Sequence, residues 1–144
     1  MYKFEKSVFI NRPKQEVFDF VTNFANDAQW QSGVELSEWT SDGPPAIGST
    51  HKVVRSMLGR NMEATKVVTS WDPPNQWGNK SNGGPVPFEG TQKFESKDGG
   101  TLMTFTAQAE LGGFFKLAEG LVGKQIEKQI ETDSAKLKKL LETG

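Results

Sequence analysis

Between Val34 and Glu110 the chain passes through six stretches of strand length, each alternating in polarity or rich in β-formers. They cover residues 34–39, 49–58, 60–70, 76–81, 88–96 and 101–110. Asp42-Gly43-Pro44-Pro45, Gly59, Asp72-Pro73-Pro74, Asn82-Gly83-Gly84-Pro85 and Asp98-Gly99-Gly100 separate them. Each of these residue types turns the chain for a steric reason, and the Asp-Gly pair between alternating runs predicts a tight hairpin. Links this short cannot make crossovers, so the strands must pair antiparallel.

Such a sheet has an apolar face that must be covered. Only the segment after Gly112-Gly113 is long enough to cover it. There the period becomes helical, with Phe115, Ala118, Val122, Ile126, Ile130, Leu137 and Leu141 along one stripe. Thr132-Asp133-Ser134 interrupts that stripe. Gly112, Gly113, Gly120 and Gly123 crowd its start. They signal either close packing on the sheet or a segment that opens to admit a ligand.

Ahead of the six runs, residues 3–10 read as a first strand, broken by Asn11-Arg12-Pro13. Val17, Phe18, Val21 and Phe24 recur at helical spacing, which predicts a short helix over 13–23. A second short turn over 26–31 is anchored by Trp30. The expected fold is therefore α+β: a curved, seven-stranded antiparallel sheet wrapped around a long C-terminal helix, with two short helices between strands 1 and 2. The whole chain, 1–144, is expected to form one domain.

Alternation also assigns faces. Val34, Leu36 and Glu38 fall on one side of their strand, Ser37 and Trp39 on the other. Inward sets elsewhere are His51, Val53, Arg55 and Met57; Trp77, Asn79 and Ser81; Phe88, Gly90, Gln92 and Phe94; and Met103, Phe105 and Ala107. Gln108 falls outward. Consecutive valines leave the register of some strands open by one residue, and such a slip inverts the face.

The chemistry on offer is sparse. There is no cysteine and a single histidine, so thiolate chemistry, disulfides and histidine-cluster metal sites are excluded within one chain. Seventeen basic and eighteen acidic side chains leave a net charge of −1, without the global electrostatic signature of a nucleic-acid binder. No apolar run is long enough for a membrane span, and the Met1-Tyr2-Lys3-Phe4 start lacks a signal-peptide pattern. A cytoplasmic protein, without membrane insertion and monomeric or weakly dimeric, is the expectation. No catalytic set, metal site or cofactor-binding motif can be assembled.

In this element order the chain resembles the START-like helix-grip (SRPBCC) superfamily, and within it the polyketide cyclase/dehydrase-like proteins. The resemblance rests on the segment from Ser7 to Phe18 with Arg12-Pro13, on Trp30, on Ile47-Gly48-Ser49-Thr50 and on Leu58-Gly59-Arg60. It continues through Val68-Thr69-Ser70-Trp71-Asp72-Pro73-Pro74, Pro87-Phe88-Glu89-Gly90-Thr91 and Gly99-Gly100-Thr101. It implies a deep, mostly apolar cavity between sheet and C-terminal helix. The inward sets then nominate Val53, Arg55, Met57, Trp77, Asn79, Phe88, Gln92, Phe94, Met103 and Phe105 as lining residues. Phe115, Ala118 and Val122 would form the helix wall.

His51, at a strand start, reads as an exposed rim residue. Arg55 is either an anchor for an acidic ligand or the partner of Glu63 on the adjacent strand. Trp71 reads as a strand-end plug. Three functions follow from the resemblance: holding a small hydrophobic or aromatic ligand such as a lipid or polyketide; cyclase/dehydratase chemistry, with Arg55, Gln92 and His51 polarising a ketone; and a co-chaperone-like interaction module. The first is the leading expectation.

Overall fold

A computed structural model describes residues 2–57, 59–82, 87–109 and 119–143, apart from the side chains of 2, 57 and 119–123. Its strands are β1 (Tyr2–Ile10), β2 (Val34–Trp39), β3 (Thr50–Met57), β4 (Arg60–Asp72), β5 (Gln76–Ser81), β6 (Phe88–Lys97) and β7 (Gly100–Ala109). They form one antiparallel sheet in the order β1-β7-β6-β5-β4-β3-β2. Between β1 and β2 lie α1 (Lys14–Thr22), a 3-10 turn (Phe24–Asn26) and α2 (Asp27–Trp30); α3 (Glu119–Thr143) follows the sheet. This is the expected element order, with boundaries within two residues through most of the strand region.

Local chemistry accounts for the elements. Asp98 and Gly99 both adopt positive φ, 48° and 80°, in the β6–β7 hairpin, as an Asp-Gly turn matched to strand twist requires. Pro13 precedes α1 and its carbonyl accepts the Val17 N–H at 3.1 Å. Val17, Phe18 and Val21 are the buried face of that helix. The far end of α3 is fastened to β1 and the loop after it. Arg12 donates from Nε to the Leu141 carbonyl at 2.7 Å and from Nη2 to that of Glu142 at 3.3 Å. These are the carbonyls a helix C-terminus leaves unpaired. Lys138 Nζ reaches the Phe9 carbonyl at 2.6 Å. Phe115, Ala118, Gly112 and Gly113, and the side chains of Met57, Gly120, Val122 and Gly123, lie outside the described residues.

Two bulges reset the faces. On β2, Val34 opposes Arg55 and Leu36 opposes Val54, so Glu35 is an extra residue in the strand. The strict alternation read from the sequence is thereby overturned. Val34, Ser37 and Trp39 share the inner face, while Leu36 is 42% exposed and Glu38 pairs outside with Lys52 at 3.4 Å. On β4 the shift between Val68 and Ser70 carries Trp71 inward, opposite Trp77. There it packs on the rings of Phe18 and Trp39.

The core sits where α1, α2 and the end of α3 meet the sheet. Ile10, Val17, Phe18, Phe94, Met103 and Leu137 are its most enclosed members. Nearer the middle of α3 the two layers do not fill the space between them.

Candidate functional site

The unfilled space is a cavity of about 470 Å³ between the inner face of the sheet and α3. Val53 on β3, Trp77 on β5, Phe88 on β6 and Met103 and Phe105 on β7 line one side; Ile126 and Ile130 of α3 line the other. Phe24 and Trp30 close the end nearest α2. Each strand residue follows from the period-two alternation, and the two isoleucines follow from the helical stripe.

Into this apolar wall the strands set a small polar group. His51 is 4% exposed, its ring 4.6 Å from that of Phe24 and 5.9 Å from that of Trp77. Asn79 Nδ2 donates to His51 Nε2 at 3.2 Å. Burial, helped by the Lys66 charge, lowers the imidazole pKa to about 4, so the ring is neutral at physiological pH. The expectation of an exposed rim histidine is wrong: Trp39, brought inward by the bulge, and Phe24 cover His51 from elements distant in sequence. Beside it, Trp77 Nε1 donates to Gln92 Oε1 at 2.6 Å.

Toward α2 the cavity carries charge. Asp27 is buried and accepts from Ser37 Oγ at 2.7 Å. Burial raises its pKa to about 6 despite that hydrogen bond and despite the charges of Arg55 and Lys66. Asp133 of α3 accepts from the Ser32 N–H at 3.1 Å and from Ser32 Oγ at 2.7 Å. Arg55 Nη2 donates to Gln31 Oε1 at 2.7 Å, and burial lowers its pKa against the charges of Asp133 and Asp27. The proposed partner of Arg55, Glu63, is exposed and lies opposite Val54, so the cross-strand ion pair is replaced by Gln31 and the two aspartates. Lys66, facing inward on β4 opposite His51 and Ser81, completes the group.

Of the nominated residues, Val53, Arg55, Trp77, Asn79, Phe88, Gln92, Met103 and Phe105 border the cavity. Phe94 does not. It is 1% exposed and packs edge-on against Phe18 at 5.3 Å, one rung below the floor and inside the core. Met57, Phe115, Ala118 and Val122 fall among the undescribed residues and side chains. Sequence reasoning missed Asp27, Gln31 and Lys66 as site residues. It noticed Asp133 only as an interruption of the helix stripe, and that interruption was the available signal. Among the described residues no group of three His, Asp or Glu side chains is placed to hold a metal ion. No helix among them is long and apolar enough to cross a membrane.

Curved sheet, gripped helix and intervening cavity together match known proteins. A family described as polyketide cyclase / dehydrase and lipid transport matches residues 1–142. The chain belongs to that family. Solved structures agree at the level of fold. A protein from Thermus thermophilus superposes with a TM-score of 0.81 at 20% identity, over 96% of this chain and 95% of that one. A START superfamily protein from Mycobacterium smegmatis gives 0.80 at 14% identity, over 99% of each. The di-domain ARO/CYC BexL of the BE-7585A biosynthetic pathway gives 0.75 at 17% identity; the match covers 98% of this chain and 50% of BexL. No curated protein sequence matches the chain.

Proposed function

We propose that the chain holds a small, largely apolar or aromatic molecule in this cavity, with the ligand's oxygen atoms turned toward the polar group on β3, β4 and β5. The observation that carries the reading is the 470 Å³ space, walled by Phe, Trp, Met and Ile yet holding buried amide and imidazole groups on one side. That combination of an apolar surface and a few fixed polar groups is how small-molecule sites are built, and the volume lies within their usual range of about 300–1,000 Å³. Family membership supports the same reading. Residues 1–144 would act as one ligand-holding domain.

Native mass spectrometry of the purified protein, with melting curves against fatty acids, flavonoids and aromatic polyketides, tests it. A ligand that binds only the folded state raises the melting temperature by mass action. Val53→Trp, which fills the cavity, should abolish the shift. The absence of any shift across the panel overturns the reading.

A second reading, cyclase- or dehydratase-type catalysis, is favoured by one observation. Asp27 and Lys66, with pKa values of about 6 and about 8, bracket neutral pH on the wall of the cavity. Groups so tuned can take and return a proton beside a ketone. Deuterium exchange into an enolisable aromatic ketone, lost in Asp27→Asn, is the result expected if the chain catalyses; exchange at the buffer rate removes it.

A further inference from the structure

Lys66 is a charged group of the site with neither an ion-pair nor a hydrogen-bond partner among the described residues. It lines the cavity, and its Nζ sits 5.5 Å from the centre of the Phe88 ring. Among the described residues no carboxylate lies within ion-pair distance of Nζ and no acceptor within hydrogen-bonding distance. Among the described residues the charged and titratable groups around it come from β3, β4, α2 and α3. His51 and Arg55 face it from β3, Asp27 from α2 and Asp133 from α3, while Glu63 borders the cavity from β4 itself.

Most of these are already engaged. Ser37 holds Asp27 through Oδ2, leaving Oδ1 buried without a partner, while Ser32 holds Asp133 and Gln31 holds Arg55. His51 is uncharged and hydrogen-bonded to Asn79. The Lys66 ammonium has no such partner among the described residues and lies against apolar surface, where an unpaired charge is costly. Its pKa shows the deficit: burial and the Arg55 charge lower it to about 8, and Asp27 only partly offsets them.

We infer that Lys66 receives the carboxylate of a monoanionic ligand, an aromatic or aliphatic acid whose apolar body lies against Phe88, Trp77 and Phe105. The inference rests on the cavity-binding reading and adds the ligand's chemical class. Arg55, bound to Gln31, contributes its positive field. An ammonium–carboxylate hydrogen bond is charge-assisted, and it is stronger between partly buried groups than at the surface. No covalent step is involved.

The pH dependence follows from the neighbours. Below about pH 6 Asp27 is protonated and does not repel the anion; above about 8 the unliganded Lys66 loses its proton. Acid binding therefore takes up protons, and affinity falls as pH rises from 6 to 9. A neutral ligand of the same shape shows no such fall.

Quenching of tryptophan fluorescence by decanoate and 2-naphthoate, against decanol and 2-naphthalenemethanol, tests this. Wild-type protein should bind each acid about tenfold tighter than its alcohol at pH 6.5, a preference of the size charge-assisted hydrogen bonds supply. The preference should disappear by pH 9. Lys66→Met should lose it through weaker binding of the acids, and Lys66→Arg should retain it. The wild-type pH series stands whether or not Lys66→Met folds. Alcohols that bind as well as acids, or an acid preference that survives in Lys66→Met, overturn the inference and leave the cavity reading intact. Failure of all four compounds to bind overturns both.

Discussion

The Asn79 amide nitrogen lies 3.2 Å from His51 Nε2, and an amide nitrogen can only donate. Nε2 is therefore the acceptor, and the imidazole carries its proton on Nδ1. A neutral histidine between the rings of Phe24 and Trp77 is part of the cavity wall.

This neutrality is linked to stability. The folded pKa of His51 is about 4 against 6.5 when unfolded, so the unfolded chain binds more protons between those values. The His51 contribution to stability is lost as pH falls through that window, by about 3 kcal/mol in all. Urea melts of wild type and His51→Gln at pH 7.5, 6, 5 and 4.5 check it. The stability gap between them should narrow toward acid; a constant gap contradicts the assignment.

Asp27 has the opposite sign. Its folded pKa of about 6 exceeds the ordinary 3.8, so the folded state binds the extra proton as pH falls from 6 to 4 and gains stability there. Asp27→Asn keeps an acceptor for Ser37 without the buried charge. It should be more stable than wild type at pH 7.5 by about 1–3 kcal/mol and no more stable at pH 4. Lower stability at pH 7.5 would show that the carboxylate is better compensated than its burial indicates.

Arg55→Met tests the charge group from the other side. It leaves Asp27 and Asp133 without their nearest positive field. Removing one member of a buried charge group costs about 3–5 kcal/mol at the high end, and a loss of about 2–4 is expected here. Adding Asp27→Asn should recover more than Asp27→Asn gains in wild type, since charges that interact are not additive. Independent effects of the two substitutions in denaturant melts would show that they are not coupled.

Packing separates the floor of the cavity from the core. Phe94→Ala should cost about 3–5 kcal/mol, as expected for an enclosed aromatic. Phe105→Ala should cost less than half as much, because the half-buried Phe105 ring already faces open space. It should, however, weaken ligand binding. Equal melting penalties would mean that the cavity is not open in solution.

What could be read from the sequence was what is decided locally. Turn chemistry at Asp98-Gly99 and the change of period after Gly112-Gly113 are properties of neighbouring residues, and they led to the sheet and its covering helix. The inner faces of β3, β5 and β7 followed from alternation alone. The β2 face did not, because only pairing with β3 reveals Glu35 as an extra residue that shifts every later side chain to the other side. His51 was misplaced for a related reason: its cover comes from Phe24 and Trp39, neither adjacent to it in sequence. Asp27 and Lys66 look like ordinary solvated charges until α2 and β4 are seen to face the same space.

The bulge at Glu35 gives β2 one residue of slack. Without Glu35, Val34, Leu36 and Ser37 would alternate regularly, and Ser37 would still point at Asp27. Loss of Leu36 instead would let Glu35 take its place in the ladder, again with Ser37 inward. The middle of β3 has no such reserve, since Thr50 to Met57 pair with β4 rung for rung. There the loss of one residue would turn part of the His51, Val53, Arg55 set out of the cavity. Evolution can therefore shorten this edge strand without changing what a ligand meets, while the same deletion one strand further in would rewrite it.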